Sequence, residues 1–487
     1  MLSMQRRMSR SFLVLMSLPS SAMGFALSVQ IASLSWILST RYHLHLDEIG
    51  VVWAAGPVAG IVGQLLIGVI SDHVWFWGGR RRPFIVIGGA LAAAMLLALP
   101  NIGLVSHALG LDALLGVAIA VALALDLSIN VSFNPTRSLI TDLTVEGAPR
   151  TRGYTWMQTV SGGFAVLAYA IGARFGNYVL IYLAVGLVAL GSIVPACLIV
   201  EPRSLPGAEP ATGGARAHGH GLTKLLMILM PLWGYLAYDL IATACKLAGV
   251  ALPATAAGAA FVLATGVVVV ATLAARDRGA EFVKEDLVEF RKVLAAHAFS
   301  WIGVQTMFVY IIGFVQQRFP ALGAEDAGKL LSTSFLVLTV VSAAMPALVL
   351  EPLTERFGQV GVHAGCLAVM ALAYAAIYWL GRSPLAIYAL MGVVGVGWAA
   401  IVSLPFAIMS QRVEQSRIGL YMGVFNLSVV LPQLLVSLWI GAIVAGLADK
   451  SLMFLISAGT TGLSAIAWLF VRRGEGATAG VVPAAGH

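Results

Sequence analysis

Residues 112–141 read DALLGVAIAVALALDLSINVSFNPTRSLIT, an apolar segment interrupted by a few polar side chains. The segment exceeds the roughly 20 residues that a helix needs to cross a lipid bilayer. Counted from Asp126, the amide and charged residues Asn130, Asn134 and Arg137 follow at spacings of 4, 8 and 11. At about 100° per residue they lie within about 40° of one helical face, with Arg137 about 16 Å from Asp126 along the axis. The segment therefore predicts a membrane-spanning helix with a polar stripe from the midplane to one surface.

The composition of the whole chain indicates a membrane protein. Of the 487 residues, 59% are hydrophobic and 10% are charged, whereas charged residues make up about 25% of an ordinary soluble domain. So few charges do not cover the surface of a soluble protein of this length, and we therefore predict an all-α membrane protein. The expected spans are residues 12–38, 49–70, 84–106, 112–141, 153–175, 178–199, 223–247, 253–275, 293–316, 329–350, 360–380, 384–410, 417–446 and 451–471.

Six, two and six spans add to fourteen, which divide into two six-helix bundles with an inserted two-helix hairpin. A flexible linker rich in Gly, Ala, Pro and His precedes the hairpin, and a charged, amphipathic surface segment follows it. Within the hairpin, Asp239 and Lys246 are two turns apart on one helical face and are interpreted as a structural pair. The expected units are the first bundle at 1–200, the linker at 201–222, the hairpin at 223–275, the amphipathic segment at 276–292, the second bundle at 293–473 and a tail at 474–487.

The distribution of charge predicts the topology. Most of the 29 Lys and Arg residues fall in segments on the same side of the membrane as the N-terminus, and such residues collect on the cytoplasmic side. Both termini are therefore expected in the cytoplasm, with the chain in a plasma membrane, the inner membrane of a bacterium. The net charge of +7 is not concentrated in a soluble segment, so nucleic acid is not an expected partner. We expect a monomer in the lipid bilayer.

Two loops with related sequences predict a gate. Gly68-Val-Ile-Ser-Asp72 is followed by GRRR at 79–82, and LTERFG at 353–358 occupies the corresponding place in the second half. Each loop puts an acid, a basic residue and a glycine at the inner membrane surface, although simple topological anchoring also explains the arginines. The expected gate residues are Asp72, Arg80, Arg81, Arg82, Asp142, Glu355 and Arg356.

Polar residues within the expected spans make up a candidate sugar site. A carboxylate removed from water favours its protonated form, so Asp126 is a candidate for binding and releasing a proton. Amides present the donors and acceptors that sugar hydroxyls require, and a Trp ring stacks on a sugar ring, although each amide also fits helix–helix hydrogen bonding. The candidate substrate-binding residues are Gln30, Gln64, Asn130, Asn134, Gln158, Gln305, Trp398, Asn426 and Gln433.

Motifs for other chemistry do not occur. The sequence contains no Gly-x4-Gly-Lys-Ser/Thr loop, no His-Glu-x-x-His and no Gly-x-Ser-x-Gly, so neither direct use of ATP nor an enzyme is expected. Cys197, Cys245 and Cys366 lie in apolar runs without metal-ligand spacing, and no metal or cofactor is expected. The energy source is then an ion gradient, of protons or sodium, or the gradient of the substrate itself.

Several segments resemble the sucrose/proton symporters of the major facilitator superfamily. SD at 71–72 with GRRRPFI at 79–85 is similar to their helix 2–3 loop, a motif close to general for the superfamily. DLSIN at 126–130 with PTRSLITD at 135–142 resembles their more specific fourth-helix pattern, and GVFNLSVVLPQ at 423–433 resembles a segment of their second half. The glycoside–pentoside–hexuronide cation symporters share part of this pattern, whereas the extra hairpin is not a feature of the family.

The resemblance implies the major facilitator fold, whose site lies near the midplane between two six-helix halves. It also implies import of a sugar, a disaccharide or glycoside such as sucrose or maltose, with a proton by alternating access. In that family the fourth-helix acid binds the proton and the nearby Arg is required for coupling, roles implied here for Asp126 and Arg137.

Two alternative functions stay open. One is a proton-coupled exporter of apolar compounds, because fourteen-helix drug/proton antiporters also carry a central hairpin; the other is a transport-inactive membrane sensor or assembly factor.

Overall fold

The computed structural model is helical throughout, with no strand in the residues that it describes. Most of the expected linker at 201–222 lies outside these residues, as do positions 276–286 of the expected amphipathic segment and the tail at 474–487. The described residues are 5, 8–111, 113–144, 148–201, 226–250, 254–275, 287–413 and 418–472.

The helices follow the expected order. Those of the first half are α1 (Arg10–Thr40), α2 (Leu46–Trp53), α3 (Ala55–His73), α4 (Arg82–Ala98), α5 (Ile102–Ala108), α6 (Leu114–Leu143), α7 (Ala148–Phe175) and α8 (Asn177–Leu198). The hairpin contains α9 (Trp233–Leu247) and α10 (Ala254–Ala274). Those of the second half are α11 (Leu287–Arg318), α12 (Ala324–Met345), α13 (Glu351–Phe357), α14 (Gln359–Leu380), α15 (Pro384–Ser410), α16 (Ile418–Leu435), α17 (Gly441–Gly446) and α18 (Leu452–Trp468).

Each expected span falls on one or two of these helices. Within the described part of the chain, 9 helices are long and apolar enough to cross a membrane. The helix α11 begins at Leu287 rather than at 293, so residues 287–292, expected in a surface segment, form the first turns of an apolar helix. The sequence misplaced this start because Glu289, Arg291 and Lys292 lower the local hydropathy, although two of these charges are paired inside the fold.

The two halves repeat one packing arrangement. In the first half, α6 packs against α3 and α4, and α8 packs against α1 and α4. In the second half, α15 packs against α12 and α14, and α18 packs against α11 and α14. These pairs occupy the same positions in the order of spans, so the halves are structural repeats of each other.

Close packing of α4 fixes the direction in which α6 presents its polar residues. A Cβ added at Gly88 would lie 2.7 Å from the carbonyl oxygen of Ser128, and one added at Gly89 would lie 2.6 Å from Oγ of Ser192. Small residues let helix backbones approach closely inside a membrane. Because Ser128 faces α4, Asp126 lies about 200° around the same helix and is directed toward the boundary between the halves.

The halves meet at one end of the bundle. The indole N–H of Trp36 donates to the carbonyl oxygen of Ala324 at 2.6 Å, and the hydroxyl of Ser332 donates to the side-chain oxygen of Asn177 at 2.8 Å. Each of these bonds joins the first half to the second. We call this the Trp36 end, and the opposite end, which contains the Arg81 side chain, the Arg81 end.

A glycine permits the approach of the halves at the Trp36 end. A Cβ added at Gly50 of α2 would lie 2.6 Å from the carbonyl oxygen of Ser437, and closer still to the hydroxyl oxygen of Tyr310. Real Cβ atoms do not come this near to backbone oxygen. The contact between α2 and the second half therefore depends on the absence of a side chain at Gly50.

The inserted hairpin packs on the outside of the second half. The rings of Tyr238 and Phe261 lie 5.8 Å and 6.3 Å from the Trp439 ring, between centroids. Asp239 is buried at 4% exposure, and neither carboxylate oxygen has a hydrogen-bond partner among the described residues. The side chain of Lys246 is outside the described part, so the expected pair between Asp239 and Lys246 lies there too.

Candidate functional site

A cavity of about 360 Å³ lies between the two halves. Its first-half wall comes from α1, α2, α3 and α6, and its second-half wall comes from α11, α15 and α16. Both walls carry polar side chains at positions that the sequence singles out. The expected site residues that line it are Gln30, Asp126, Asn130, Asn134, Arg137, Gln305, Trp398, Asn426 and Gln433.

One expected site residue lies away from this cavity, and a second has its side chain outside the described residues. Gln158 has an exposed side chain on α7 and contributes nothing to the cavity wall. The face of α7 that meets the second half was not predictable from the sequence, since the polar residues of that helix do not form a single stripe. Gln64 is on α3, but its side chain lies outside the described residues.

The Asp126 carboxylate is held at the cavity by a neighbouring amide. Asp126 is 7% exposed and Gln30 is 2% exposed, and the amide Nε2 of Gln30 donates to Oδ2 of Asp126 at 3.0 Å. A Cβ at Gly56 of α3 would lie 3.3 Å from the same oxygen, so this glycine leaves space for the carboxylate. Because these residues come from α1, α3 and α6, the position of Asp126 depends on the packing of these three helices.

Arg137 is placed further along the same face of α6. Its guanidinium carbon lies 4.7 Å from the centroid of the Phe133 ring, and the hydroxyl of Tyr154 donates to its backbone carbonyl at 3.2 Å. In the described part of the chain its side chain forms no ion pair, and it is exposed toward the Arg81 end. The cavity thus has a carboxylate at its depth and a cation nearer its opening.

The second half supplies amides and aromatic rings. Nε2 of Gln433 donates to Oε1 of Gln305 at 3.2 Å. The ring of Trp398 lies 5.8 Å from that of Trp301 and 5.4 Å from that of Phe308, edge to face in both cases. The cavity therefore has an aromatic surface beside its polar groups, a combination that binds the C–H faces and the hydroxyl groups of a sugar.

The expected charge network of the first half lies at the Arg81 end. Arg80 contacts the Asp142 carboxylate at 3.0 Å, and Nε of Arg81 contacts the same oxygen at 3.2 Å. Arg81 also donates to the hydroxyl of Ser71 at 2.8 Å. These contacts join α3, α4 and α6 within one half. The side chain of Asp72, also expected here, lies outside the described residues.

Glu201 is a member of this network that the sequence analysis assigned to the linker. Its carboxylate accepts the backbone N–H groups of Arg80 at 2.8 Å, Arg81 at 2.9 Å and Arg82 at 2.6 Å. These are unpaired donors at the start of α4, where the helix dipole favours an anion. The available signal was that the first turn of α4 has no acidic residue of its own, so an acid from elsewhere was needed. The side chain of Arg82 reaches the carbonyl oxygens of Ala196 and Cys197 at the end of α8.

The second-half network differs from the expected one. Glu355 and Arg356 are exposed on α13, and no ion pair joins them among the described residues, since adjacent residues of a helix do not face each other. Glu289 instead forms the charged cluster of this half. Its carboxylate contacts Lys292 at 2.8 Å and Arg412 at 3.6 Å.

The class of the protein follows from the family to which its sequence belongs. A family model described as the Major Facilitator Superfamily matches residues 16–437. The chain belongs to the Major Facilitator Superfamily. With 9 apolar helices of spanning length in its described part, it is an integral membrane protein of a transporter superfamily and not an enzyme, as the sequence predicted.

Similarity to individual proteins extends over most of the chain. It is 24% identical over 460 residues to the sucrose transport protein SUT2 of Oryza sativa subsp. japonica, covering 82% of this chain and 81% of that protein. It is 24% identical over 436 residues to the sucrose transport protein SUC4 of Arabidopsis thaliana, covering 80% and 76%. The structure of the xylose transporter XylE from E. coli matches with a TM-score of 0.62 at 13% identity, covering 96% of this chain and 97% of that one; at this identity the match shows the fold alone.

Proposed function

We propose that this protein imports a sugar, a disaccharide or glycoside such as sucrose or maltose, together with a proton by alternating access. The observation that carries the proposal is the hydrogen-bonded Asp126 carboxylate inside a cavity between the halves. Keeping a carboxylate charged in a buried site is costly unless it is paired. Protonation of Asp126 would remove this charge while the site changes sides, which couples proton and substrate movement. Arg137, on the same helix face, would provide the charge that favours release of the proton.

The polar walls of the cavity support a sugar as the substrate. Six amide side chains and three indole rings line it, so that hydroxyl groups find both donors and acceptors. An exporter of apolar compounds would not need this density of amides, each of which costs free energy to leave unpaired. The names of the two plant relatives support a sugar as well. Substrate-binding roles are proposed for Gln30, Gln64, Asn130, Asn134, Gln305, Trp398, Asn426 and Gln433.

Alternating access would switch the protein between this state, in which the halves meet at the Trp36 end, and a state in which they meet at the Arg81 end. In our proposal the chain has fourteen spans with both termini in the cytoplasm of a bacterial inner membrane, so the Arg81 end faces the cytoplasm. The contacts at the Trp36 end then close the outer side. The network of Arg80, Arg81 and Asp142, with Asp72 and Arg82, would take part in closing the inner side. The protein would act as a monomer and use the proton gradient without a cofactor.

Uptake by the purified protein in proteoliposomes tests this proposal. Labelled sucrose and maltose should accumulate when the interior is alkaline and should not accumulate above the outside concentration without a gradient. A sodium gradient in place of the proton gradient separates the two coupling ions. Active extrusion of an apolar dye without sugar uptake would favour the exporter, and the absence of both activities in folded protein would favour a sensor or assembly factor.

A further inference from the structure

A buried histidine lies directly behind the aromatic wall of the cavity. His297 is one helical turn before Trp301 in α11, and its side chain is 2% exposed. The indole N–H of Trp301 donates to Nε2 of His297 at 2.9 Å. On its other side the imidazole stacks on the ring of Phe425 in α16, with centroids 4.8 Å apart and planes 16° apart. The imidazole is thus clamped between two helices that both line the cavity.

The direction of this hydrogen bond fixes the chemical state of both rings. An imidazole nitrogen that accepts a hydrogen bond carries no proton, so His297 is neutral with its proton on Nδ1. Nδ1 makes no hydrogen bond in the described part of the chain, and the bond from Trp301 is therefore the polar contact that orients the imidazole there. The indole N–H is the only hydrogen-bonding group of Trp301, and His297 occupies it.

Trp301 consequently offers only carbon atoms to the cavity. Its ring meets that of Trp398 edge to face at 5.8 Å, and the indole N–H of Trp398 is not bonded within the described residues. Two indoles of the same wall thus present different chemistry, one purely apolar and one with a donor still available. The amides of Gln30 and Asn130 lie on the first-half wall.

We propose that His297 is a positioning residue for substrate recognition, which holds Trp301 as an apolar surface for the C–H face of a pyranose ring. This inference rests on the proposed function as a sugar transporter. A pyranose carries its C–H groups on the ring faces and its hydroxyls around the edge, so a face placed on Trp301 leaves the hydroxyls for the amides. An acyclic polyol of similar size has no such face and gains less from an ordered Trp301. His297 thereby contributes to selection of ring sugars without touching them.

Transport kinetics of His297→Leu and His297→Gln test the proposal. A net hydrogen bond contributes about 0.5–1.5 kcal/mol, so the loss of Trp301 positioning in His297→Leu should raise the KM for the transported pyranoside roughly two- to ten-fold with little change in kcat. Inhibition by an acyclic polyol should be unchanged. The amide oxygen of Gln accepts the indole N–H, so His297→Gln should restore most of the affinity. His363→Leu is the control, because His363 is equally buried against Trp468 and is not among the residues that line the cavity.

A double-mutant cycle separates this role from general packing. Trp301→Phe keeps an aromatic ring and removes the indole N–H, so adding His297→Leu to Trp301→Phe should have no further effect on KM. An equal rise in KM for His297→Leu in both backgrounds, or an unchanged KM in the wild-type background, would overturn the proposal.

A measurement without substrate distinguishes failure of this inference from failure of the proposed function. In ¹⁵N-tryptophan-labelled protein, the indole N–H signal absent from Trp301→Phe belongs to Trp301. Its exchange with D₂O should be slow in the wild type and in His297→Gln and fast in His297→Leu. Slow exchange with no transport of any sugar refutes the proposed function while the pairing stands, whereas equally fast exchange in all three refutes the positioning role itself.

Discussion

The side-chain amide of Gln30 donates a hydrogen bond of 3.0 Å to the carboxylate of Asp126, across 96 positions of the chain. The contact joins the first span to the fourth, and both side chains are buried at the cavity between the halves. Asp126 therefore does not stand alone in an apolar interior, because a neutral donor holds it in place without fixing its charge. A permanent cation in the place of Gln30 would keep the carboxylate ionised and would oppose its use as a proton carrier.

The Glu201 carboxylate at the start of α4 predicts that removing this one acid lowers the stability of the protein. Glu201→Ala removes the carboxylate that accepts three backbone N–H groups, so we expect a loss of about 1–2 kcal/mol in stability, as for the loss of a strong helix cap. Thermal unfolding of the purified protein in detergent measures it. Glu355→Ala removes an exposed acid from α13 and should change stability by less than about 0.5 kcal/mol. Equal effects for the two variants would contradict the assignment of Glu201 as a cap.

The close approach of the two halves at the Trp36 end predicts that this end closes only if residue 50 is a glycine. Gly50→Ala places a Cβ against Tyr310 and Ser437, and overpacking of this kind costs about 1–3 kcal/mol. This cost applies only while the Trp36 end is closed, so the rate of sugar uptake should fall about five- to hundred-fold while the folded protein remains stable enough to purify. Initial rates in proteoliposomes measure the effect.

Gly162→Ala is the matched control for that glycine. A Cβ at Gly162, also in a helix of the first half, would have nothing within 4 Å, and Ala is favoured over Gly in helices. Uptake by Gly162→Ala should equal that of the wild type. A normal rate for Gly50→Ala would show that the contact of α2 with the second half is not formed in the transport cycle.

The hairpin should be peripheral to selectivity. No described residue of α9 or α10 lines the cavity between the halves, while Tyr238 and Phe261 cover Trp439 on the outside of the second half. Replacing residues 223–275 with a soluble linker should therefore lower stability or expression and leave the ranking of competing sugars unchanged. Competition against uptake of a labelled sugar measures the ranking. If the order of the sugars changes in well-folded protein, Asp239 or its neighbours reach the site.

The periodicity of helices and the free-energy cost of exposing polar groups to lipid made much of the cavity predictable from the sequence. The spacing of Asp126, Asn130, Asn134 and Arg137 required them to share one face of α6, and polar groups in a membrane must avoid lipid. The interface between the two repeated halves was therefore the expected location of these four residues. The amides of Gln305, Asn426 and Gln433 follow the same reasoning, and the structure brings them to the same cavity.

The contacts that depend on three-dimensional packing were not predictable in the same way. Glu201 caps α4 across about 120 positions of the chain, and nothing in its local sequence distinguishes it from an acid of the linker. Glu355 and Arg356 matched a loop pattern, but the helix that contains them directs adjacent side chains apart, while Glu289 forms the cluster instead. Gln158 lies on α7, where the sequence alone did not show which face meets the second half.

The central claim is that Asp126 couples proton movement to sugar transport, and proton-driven uptake by Asp126→Asn tests it most directly. This variant keeps the size of the side chain and can still bond to Gln30, but it does not titrate. Accumulation of sugar against its gradient should be lost, whereas exchange of labelled for unlabelled sugar across the membrane should be partly retained. Asp326→Asn, at an exposed acid of the Trp36 end, should accumulate sugar normally. Full proton-driven accumulation by Asp126→Asn would contradict the account.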